Sequence, residues 1–130
     1  MYTQTTRSIT VSVQPTFRED QSVPNENRFV WAYRVRIENH GAETVQLVSR
    51  HWKITDAFGR TQEVTGDGVV GQQPVLQPGR NYEYTSGTPL ATPTGFMGGT
   101  YQMETSSGER FDVQIPLFSL DSPHQQSRLN

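Results

Sequence analysis

A glycine-rich segment carries the motif of this chain that most directly suggests chemistry. Residues 66–71 read Gly-Asp-Gly-Val-Val-Gly, which has the G-x-G-x-x-G spacing of dinucleotide-binding loops. Such a loop works by opening a helix, whose first N–H groups hold a pyrophosphate. Pro74 follows and would break that helix, so the segment is predicted to be a loop between strands. Backbone N–H groups at Gly66, Gly68 and Gly71 remain an alternative site for a phosphate.

Two arginines would supply the positive charge for that alternative site. Arg34 lies in a predicted strand with alternating apolar residues, and Arg50 lies in the next predicted strand. Together with the glycines they define the alternative hypothesis of a phosphate- or nucleotide-binding protein. Pairing of the arginines with Glu38, Glu43 or Glu104 across strands, on a solvated face, is the favoured interpretation.

The histidines do not have the spacing of a metal site. His40, His51 and His124 fall in a turn, a strand and a tail, and no two are separated by two or four positions. His51 with Asp67 is a weak alternative site for a divalent ion, since imidazole and carboxylate groups bind such ions. Arg50 precedes His51 and would repel a cation, so a metal is not predicted.

Serine, histidine and aspartate residues are present but do not have the spacing of a catalytic triad. Ser49, Ser86, His51 and Asp56 supply the residue types, and no nucleophile-elbow motif arranges them. The chain has 0 cysteines, which removes thiolate nucleophiles, disulfides and cysteine-ligated metals. We therefore predict a protein that is not an enzyme and needs no cofactor.

Two glycine-rich segments contain apolar residues that no alternating row accounts for. Val69 and Val70 lie in the first segment, and Phe96 and Met97 lie in a predicted loop before the last strands. Loops at the end of a rigid scaffold commonly carry recognition, and aromatic residues and methionine are enriched at protein interfaces. These four residues are therefore the predicted contact site for a protein partner of unknown identity.

The composition shows which elements must position these residues. Hydrophobic residues make up 32% and charged residues 18% of the 130 residues, and the formal net charge is -2. Valine, threonine and aromatic residues outnumber the strong helix formers, which favours strands. The near-neutral charge argues against nucleic-acid binding, and no apolar run is long enough to cross a bilayer. We expect a cytoplasmic protein without membrane insertion.

Alternation with a period of two residues predicts the strands themselves. In the segment Phe29–Asn39 the apolar residues occupy every second position, and Trp31 is predicted to lie in the core. The segment Val45–Thr55 changes phase before Trp52, also a predicted core residue, which indicates a bulge near Ser49–His51. Seven or eight short strands with regular turns predict an all-β fold, an antiparallel immunoglobulin- or fibronectin-III-like sandwich.

The same pattern divides the chain into one domain and two ends. Residues 8–120 are predicted to form the sandwich, residues 1–7 a flexible N-terminal segment and residues 121–130 a flexible C-terminal tail. An open sandwich has strand edges that must be protected or paired, so the chain is expected to be a monomer or a homodimer.

Several blocks of the sequence match a known family in the same order. The likeness runs from about Thr10 to Leu120. The blocks are residues 31–35 (Trp-Ala-Tyr-Arg-Val), 49–56 (Ser-Arg-His-Trp-Lys-Ile-Thr-Asp), 64–71 (Val-Thr-Gly-Asp-Gly-Val-Val-Gly), 78–79 (Pro-Gly), 84–87 (Tyr-Thr-Ser-Gly) and 95–101 (Gly-Phe-Met-Gly-Gly-Thr-Tyr). In these blocks the chain resembles the ApaG family of small bacterial proteins.

The resemblance to this family implies both a fold and a function. It implies a fibronectin-type-III or immunoglobulin-like sandwich and an association with cobalt resistance and magnesium efflux. Similar domains occur in eukaryotic adaptor proteins, namely an F-box protein and a DNA-polymerase-interacting protein. The resemblance therefore implies a non-enzymatic binding module that mediates protein–protein interaction.

Overall fold

Alternating apolar and polar residues produce long strands in this chain. The computed structural model describes residues 1–124, and nine strands lie within them. Their bounds are β1 Tyr2–Thr6, β2 Ile9–Phe17, β3 Phe29–Asn39, β4 Val45–Asp56, β5 Thr61–Asp67, β6 Val75–Leu76, β7 Asn81–Leu90, β8 Gly95–Thr105 and β9 Arg110–Leu120. The helical elements of this part of the chain are two 3-10 turns, Glu19–Gln21 and Pro24–Glu26. Neither of these turns has the length or apolar character of a membrane-spanning helix.

The strands form two antiparallel sheets that pack face to face. One sheet has the order β1-β2-β3-β7, and the other has the order β5-β4-β8-β9, with β6 paired to β4. The all-β antiparallel sandwich predicted from the sequence is confirmed. The count exceeds the seven or eight strands expected, because β1 and the two-residue β6 were not visible as alternating segments.

The inner faces of the two sheets supply the core. Along β3 the inward residues are buried, and Trp31 is only 1% exposed. Trp52 of β4 is 3% exposed, so the prediction that both tryptophans lie in the core is confirmed. The Trp31 indole Nε1–H donates to the carbonyl oxygen of Asp121 at 2.8 Å, which satisfies its polar atom.

The N-terminal residues do not form the flexible segment expected for residues 1–7. Tyr2–Thr6 forms β1 and pairs with β2 along its whole length. Arg7 donates to the Glu109 carboxylate at 2.9 Å, and its guanidinium lies 4.3 Å from the centre of the Phe111 ring. The segment was missed because its residues are polar and its order comes from pairing with β2 rather than from alternation.

The C-terminal tail is described only as far as His124. The imidazole Nε2 of His124 lies 3.1 Å from the Glu19 carboxylate, and the ring centres of His124 and Phe17 are 5.7 Å apart. The prediction of a flexible tail otherwise falls on residues 125–130, which lie outside the described residues.

The segment around Phe96 is a strand rather than the loop predicted from its glycines. β8 begins at Gly95 and pairs with both β4 and β9. A Cβ atom on Gly99 would lie 2.0 Å from the carbonyl oxygen of His51, so only glycine fits where β8 crosses β4. The glycines therefore permit a close approach of two strands instead of marking a loop.

The two lateral sides of the sandwich differ. On one side β1 lies against β9, and the Gln114 N–H donates to the Thr6 hydroxyl at 3.2 Å. On the other side β5 and β7 are the terminal strands of their sheets and pair with no strand of the described residues on their outer edges. The sandwich is therefore closed between β1 and β9 and open between β5 and β7.

Candidate functional site

A cleft lies between the sheets on the open side of the sandwich. It has a volume of about 360 Å³, within the usual range of ligand sites. Strands β5 and β7 form its two edges, and the loop after β5 closes one end. We call it the inter-sheet cleft and define it by six of its lining residues: Tyr33, Arg50, Trp52, Val70, Tyr84 and Ser86.

Aromatic rings form the inner wall of the inter-sheet cleft. The ring centres of Tyr33 and Trp52 are 5.3 Å apart with an interplanar angle of 57°. Trp52 also contacts Tyr101 edge to face, with 6.3 Å between ring centres. Tilted and edge-to-face arrangements are favourable for aromatic pairs, so this wall is rigid and apolar.

Tyrosine hydroxyls add polar atoms to this wall. The hydroxyls of Tyr84 and Tyr101 are hydrogen-bonded to each other. Burial raises the pKa of both groups above the ordinary value for tyrosine. Burial also raises the pKa of Tyr33, and the neighbouring Ser86 side chain and the Arg50 charge offset part of that rise. The hydroxyls are therefore un-ionised at neutral pH and can donate or accept hydrogen bonds.

A β-bulge directs Arg50 into the inter-sheet cleft. Leu47 pairs with Met103 and Ser49 pairs with Gln102, so Val48 is the extra residue in β4. Before the bulge the odd-numbered residues of β4 point inward. After the bulge the even-numbered residues point inward, and Arg50 is the first of them. The phase change in the sequence predicted a bulge near Ser49–His51; the bulge is confirmed, and its extra residue, Val48, lies just before that range.

The Arg50 side chain is held in place by the loop after β5. Its Nη1 donates to the carbonyl oxygens of Asp67 and Gly68, each at 2.9 Å. A Cβ atom on Gly66 would lie 2.8 Å from Nη2 and 2.9 Å from Cζ, so the guanidinium packs against the glycine backbone. The glycine at this position makes room for the arginine.

The glycine-rich segment uses its own N–H groups for internal bonds. The Gly68 N–H donates to the Val48 carbonyl at 2.9 Å, and the Val69 N–H donates to the Gln72 carbonyl at 2.8 Å. Gly71 has a φ of +78°, as a turn requires. The contacts of Arg50 with Gly66 and with the Gly68 carbonyl bring these three residues of the alternative phosphate site together.

Arg34 is not part of this group. It points outward from β3, and its Nη2 donates to the Glu83 carboxylate at 2.6 Å. That bond lowers the pKa of Glu83. Cross-strand pairing is therefore observed for Arg34, but with Glu83 instead of Glu38, Glu43 or Glu104, and this residue lies on the opposite sheet from the glycine-rich segment.

The two valines predicted to contact a partner have different environments. Val69 is 1% exposed and belongs to the core, whereas Val70 is 61% exposed at the mouth of the inter-sheet cleft. Val70 has a φ of +47°, in the left-handed region that β-branched residues rarely adopt. Only Val70 of this pair has an accessible side chain.

Phe96 and Met97 are separated by the pleat of β8. Met97 points inward and is fully buried, whereas Phe96 points outward and is 44% exposed. Phe96 pairs with Thr55, and the strand that leads to Val70 ends at Asp67, opposite Ser49. Phe96 lines a groove on the outer face of its sheet and Val70 lies at the mouth of the inter-sheet cleft, so the two exposed side chains do not share a surface.

His51 and Asp67 of the weak metal alternative lie on one face of the sheet, whereas Ser86 of the triad types lies in the inter-sheet cleft. The His51 imidazole Nε2 lies 2.7 Å from the Glu63 carboxylate on the outer face of the sheet. Asp67 is opposite Ser49 in the register, two positions along β4 from His51. Ser86 lines the inter-sheet cleft, on the other side of β4, so the structure does not bring it to His51. Residues 1–124 contain no group of three histidine, aspartate or glutamate side chains arranged to hold a metal ion.

These features define a class of protein. It is a small antiparallel β-sandwich domain with one closed side and one side open to an aromatic cleft. A family model described as the ApaG domain matches residues 19–105. The chain belongs to the ApaG domain family, as its sequence blocks indicated.

Relatives and solved structures agree with this assignment. Protein ApaG of Paramagnetospirillum magneticum is 66% identical over 130 residues, and the match covers 100% of both chains. Protein ApaG of Rhodospirillum centenum is also 66% identical, with the same coverage. A crystal structure of the ApaA protein from Bordetella pertussis is similar with a TM-score of 0.86 at 51% identity, covering 90% of this chain and 95% of that chain.

Proposed function

We propose that this protein is a non-enzymatic binding module that holds an extended segment of a partner protein at the inter-sheet cleft. The observation that carries the proposal is the open side of the sandwich. There, two strand edges flank a cleft of about 360 Å³ with an aromatic wall.

The β7 edge offers backbone groups to an added strand. β7 is ten residues long, and within residues 1–124 it pairs with a strand, β3, on one edge only. The N–H and C=O groups on its other edge are available to pair with an extended peptide, which is a common mode of peptide recognition. Alternate side chains of that peptide would then enter the inter-sheet cleft, where Trp52 and Tyr33 provide apolar contact.

The backbone at Val70 supports a functional role for the mouth of the cleft. A β-branched residue in the left-handed region costs roughly 1–3 kcal/mol, and such strain is concentrated at functional sites. Val70 is exposed there, so its side chain contributes little to the core. Contact with a partner would account for an exposed apolar side chain in a strained position.

Displayed random linear peptides, selected against the immobilised protein, test the proposal. We expect enriched peptides with alternating apolar residues, whose synthetic versions shift the NMR signals of β7 and of Val70. The Val70→Asp variant should weaken their binding at least tenfold, because it replaces an apolar contact at the mouth of the cleft by a charge that must be desolvated.

Val75→Asp is the matched control for this experiment. Val75 is 58% exposed, close to the 61% of Val70, and lies in β6 away from the cleft. Equal losses of binding in both variants, or no enriched peptides at all, would refute the proposed function.

The proposal also covers the cellular location, the oligomeric state and the link to cobalt and magnesium. A binding module in the cytoplasm, as a monomer or homodimer, would contribute to cobalt resistance or magnesium efflux by engaging another protein. In a deletion strain with such a phenotype, the Val70→Asp gene should fail to restore the wild-type response, whereas the Val75→Asp gene should restore it.

A further inference from the structure

Arg50 is an inward-pointing cation without an acidic partner in the part of the chain that the structure describes. The arginines that form ion pairs there are Arg7, Arg18, Arg34, Arg36, Arg60 and Arg110. Arg50 instead donates from Nη1 to two carbonyl oxygens, and its Nε and Nη2 have no acceptor among residues 1–124. A guanidinium therefore faces the inter-sheet cleft with free donors.

The surroundings of Arg50 favour an anionic ligand group. The side chain is half-buried, and the groups around it are the hydroxyls of Tyr33, Tyr84 and Tyr101 together with the two loop carbonyls. None of these groups carries a negative charge at neutral pH. Removing a cation from water is costly unless an anion pairs with it. A carboxylate that pairs with Arg50 in the cleft would therefore bind more strongly than one that pairs with an arginine at the surface.

The geometry of the loop fixes the direction of the free donors. Two hydrogen bonds hold Nη1, and the Gly66 backbone covers one face of the guanidinium. Arginine donors in a fixed fork match the two oxygens of a carboxylate. Arg50 is therefore preorganised before any ligand arrives.

We propose that the segment held at the inter-sheet cleft carries an aspartate or glutamate whose carboxylate pairs with Arg50. This inference rests on the proposed function, since the strand edges and the aromatic wall suit an extended peptide. A free phosphate is a poorer match, because the Gly68 and Val69 N–H groups of the adjacent loop already donate to protein carbonyls.

A double-mutant cycle on a selected peptide tests the pairing. The four combinations are wild-type protein and Arg50→Gln with the acidic peptide and its Asp→Asn or Glu→Gln counterpart. Each single change should weaken binding about tenfold or more, and the second change should then have little further effect, because hydrogen bonds between charged groups are the strong ones. Independent, multiplicative losses would overturn the pairing.

Gly66→Ala provides a second variant that keeps the charge of Arg50. The added methyl group would lie within 2.9 Å of the guanidinium, which is the far end of a flexible side chain and can move. We expect the variant to melt near the wild-type temperature and to bind the acidic peptide several-fold more weakly, with little change for the neutral peptide. Unchanged discrimination between the two peptides would contradict the inference.

The two proposals fail in distinguishable ways. Enriched peptides that bind at β7 but contain no acidic residue would overturn the role of Arg50 and leave the proposed function standing. A rise in melting temperature with pyrophosphate or ATP that disappears in Arg50→Gln, without binding of acidic peptides, would overturn both and identify a phosphate site.

Discussion

Val70 combines an exposed apolar side chain with a φ of +47° in the turn at the mouth of the cleft. We expect Val70→Gly to raise the free energy of unfolding by about 1 kcal/mol. Relief of backbone strain is worth roughly 1–3 kcal/mol. The greater freedom of glycine in the unfolded chain offsets about 0.4–1 kcal/mol of that gain. Urea denaturation of the two proteins measures the difference.

Val75→Gly is the control at a site with ordinary strand geometry. Val75 is similarly exposed but has no positive φ, so the same change should lower the free energy of unfolding by about 0.5–1 kcal/mol. Destabilisation of the same size at both positions would show that Val70 is not strained.

The buried tyrosines predict how stability depends on alkaline pH. The pKa values of Tyr84 and Tyr101 are raised by burial, so the folded protein retains protons that the unfolded chain loses above about pH 10. The free energy of unfolding should therefore fall as pH rises above 10, by up to about 1.4 kcal/mol per pH unit for each tyrosine. Urea midpoints measured between pH 7 and pH 11 test this.

The Tyr84→Phe, Tyr101→Phe double variant isolates the contribution of the hydroxyl pair. Removing both partners together leaves no unpaired buried hydroxyl. Its free energy of unfolding should decline less steeply above pH 10 and should match the slope of the wild type between pH 7 and pH 9. Parallel curves over the whole range would mean that the hydroxyls ionise as freely in the folded protein as in the unfolded chain.

At the scale of elements, adjacent glycines of β8 should respond differently to the same substitution. A Cβ atom on Gly99 would meet the His51 carbonyl at 2.0 Å, whereas one on Gly98 would meet the flexible end of Leu117 at 3.1 Å. Gly99→Ala should destabilise the fold by about 2–3 kcal/mol, the upper part of the range for overpacking a well-packed region, because the clash is with backbone. Gly98→Ala should change stability by less than about 0.5 kcal/mol. Thermal and urea unfolding of both variants provide the comparison, and equal effects would contradict the close approach of β4 and β8.

Strand alternation made part of this fold predictable. Every second residue of β3 is inward because period two is a local property of the strand, so its core residues could be assigned from the sequence. The same property revealed the bulge in β4. In β8 the pattern failed, because glycines have no side chains to alternate, and the need for them comes from a partner strand distant in sequence.

The candidate site was less predictable than the fold. Arg50 was recognised as a cation, but its inward direction depends on the position of the bulge at Val48, which alternation locates only approximately. Trp52 was predicted as a core residue and Tyr84 was given no role, since the sequence does not show that the sandwich is open beside them. Met97 was expected at a contact surface but lies in the core, because it is on the inward face of strand β8.

At the scale of the whole molecule, the asymmetry between the two sides of the sandwich is the central structural feature. Contacts between β1 and β9 cover one side, including the hydrogen bond from Gln114 to Thr6. On the other side the outer edges of β5 and β7 pair with no strand of residues 1–124, and the cleft between them is lined by Tyr33 and Trp52, which are 6% and 3% exposed. This open side is where the proposed partner segment would add a strand.

The most direct test is amide hydrogen exchange of the full chain with and without a selected peptide. We predict slower exchange along Asn81–Leu90, because an added strand would pair with the free edge of β7. Amides beside Phe96, on the outer face of the other sheet, should be unaffected. Protection confined to the region of Phe96, with β7 unchanged, would contradict the assignment of the inter-sheet cleft as the binding site.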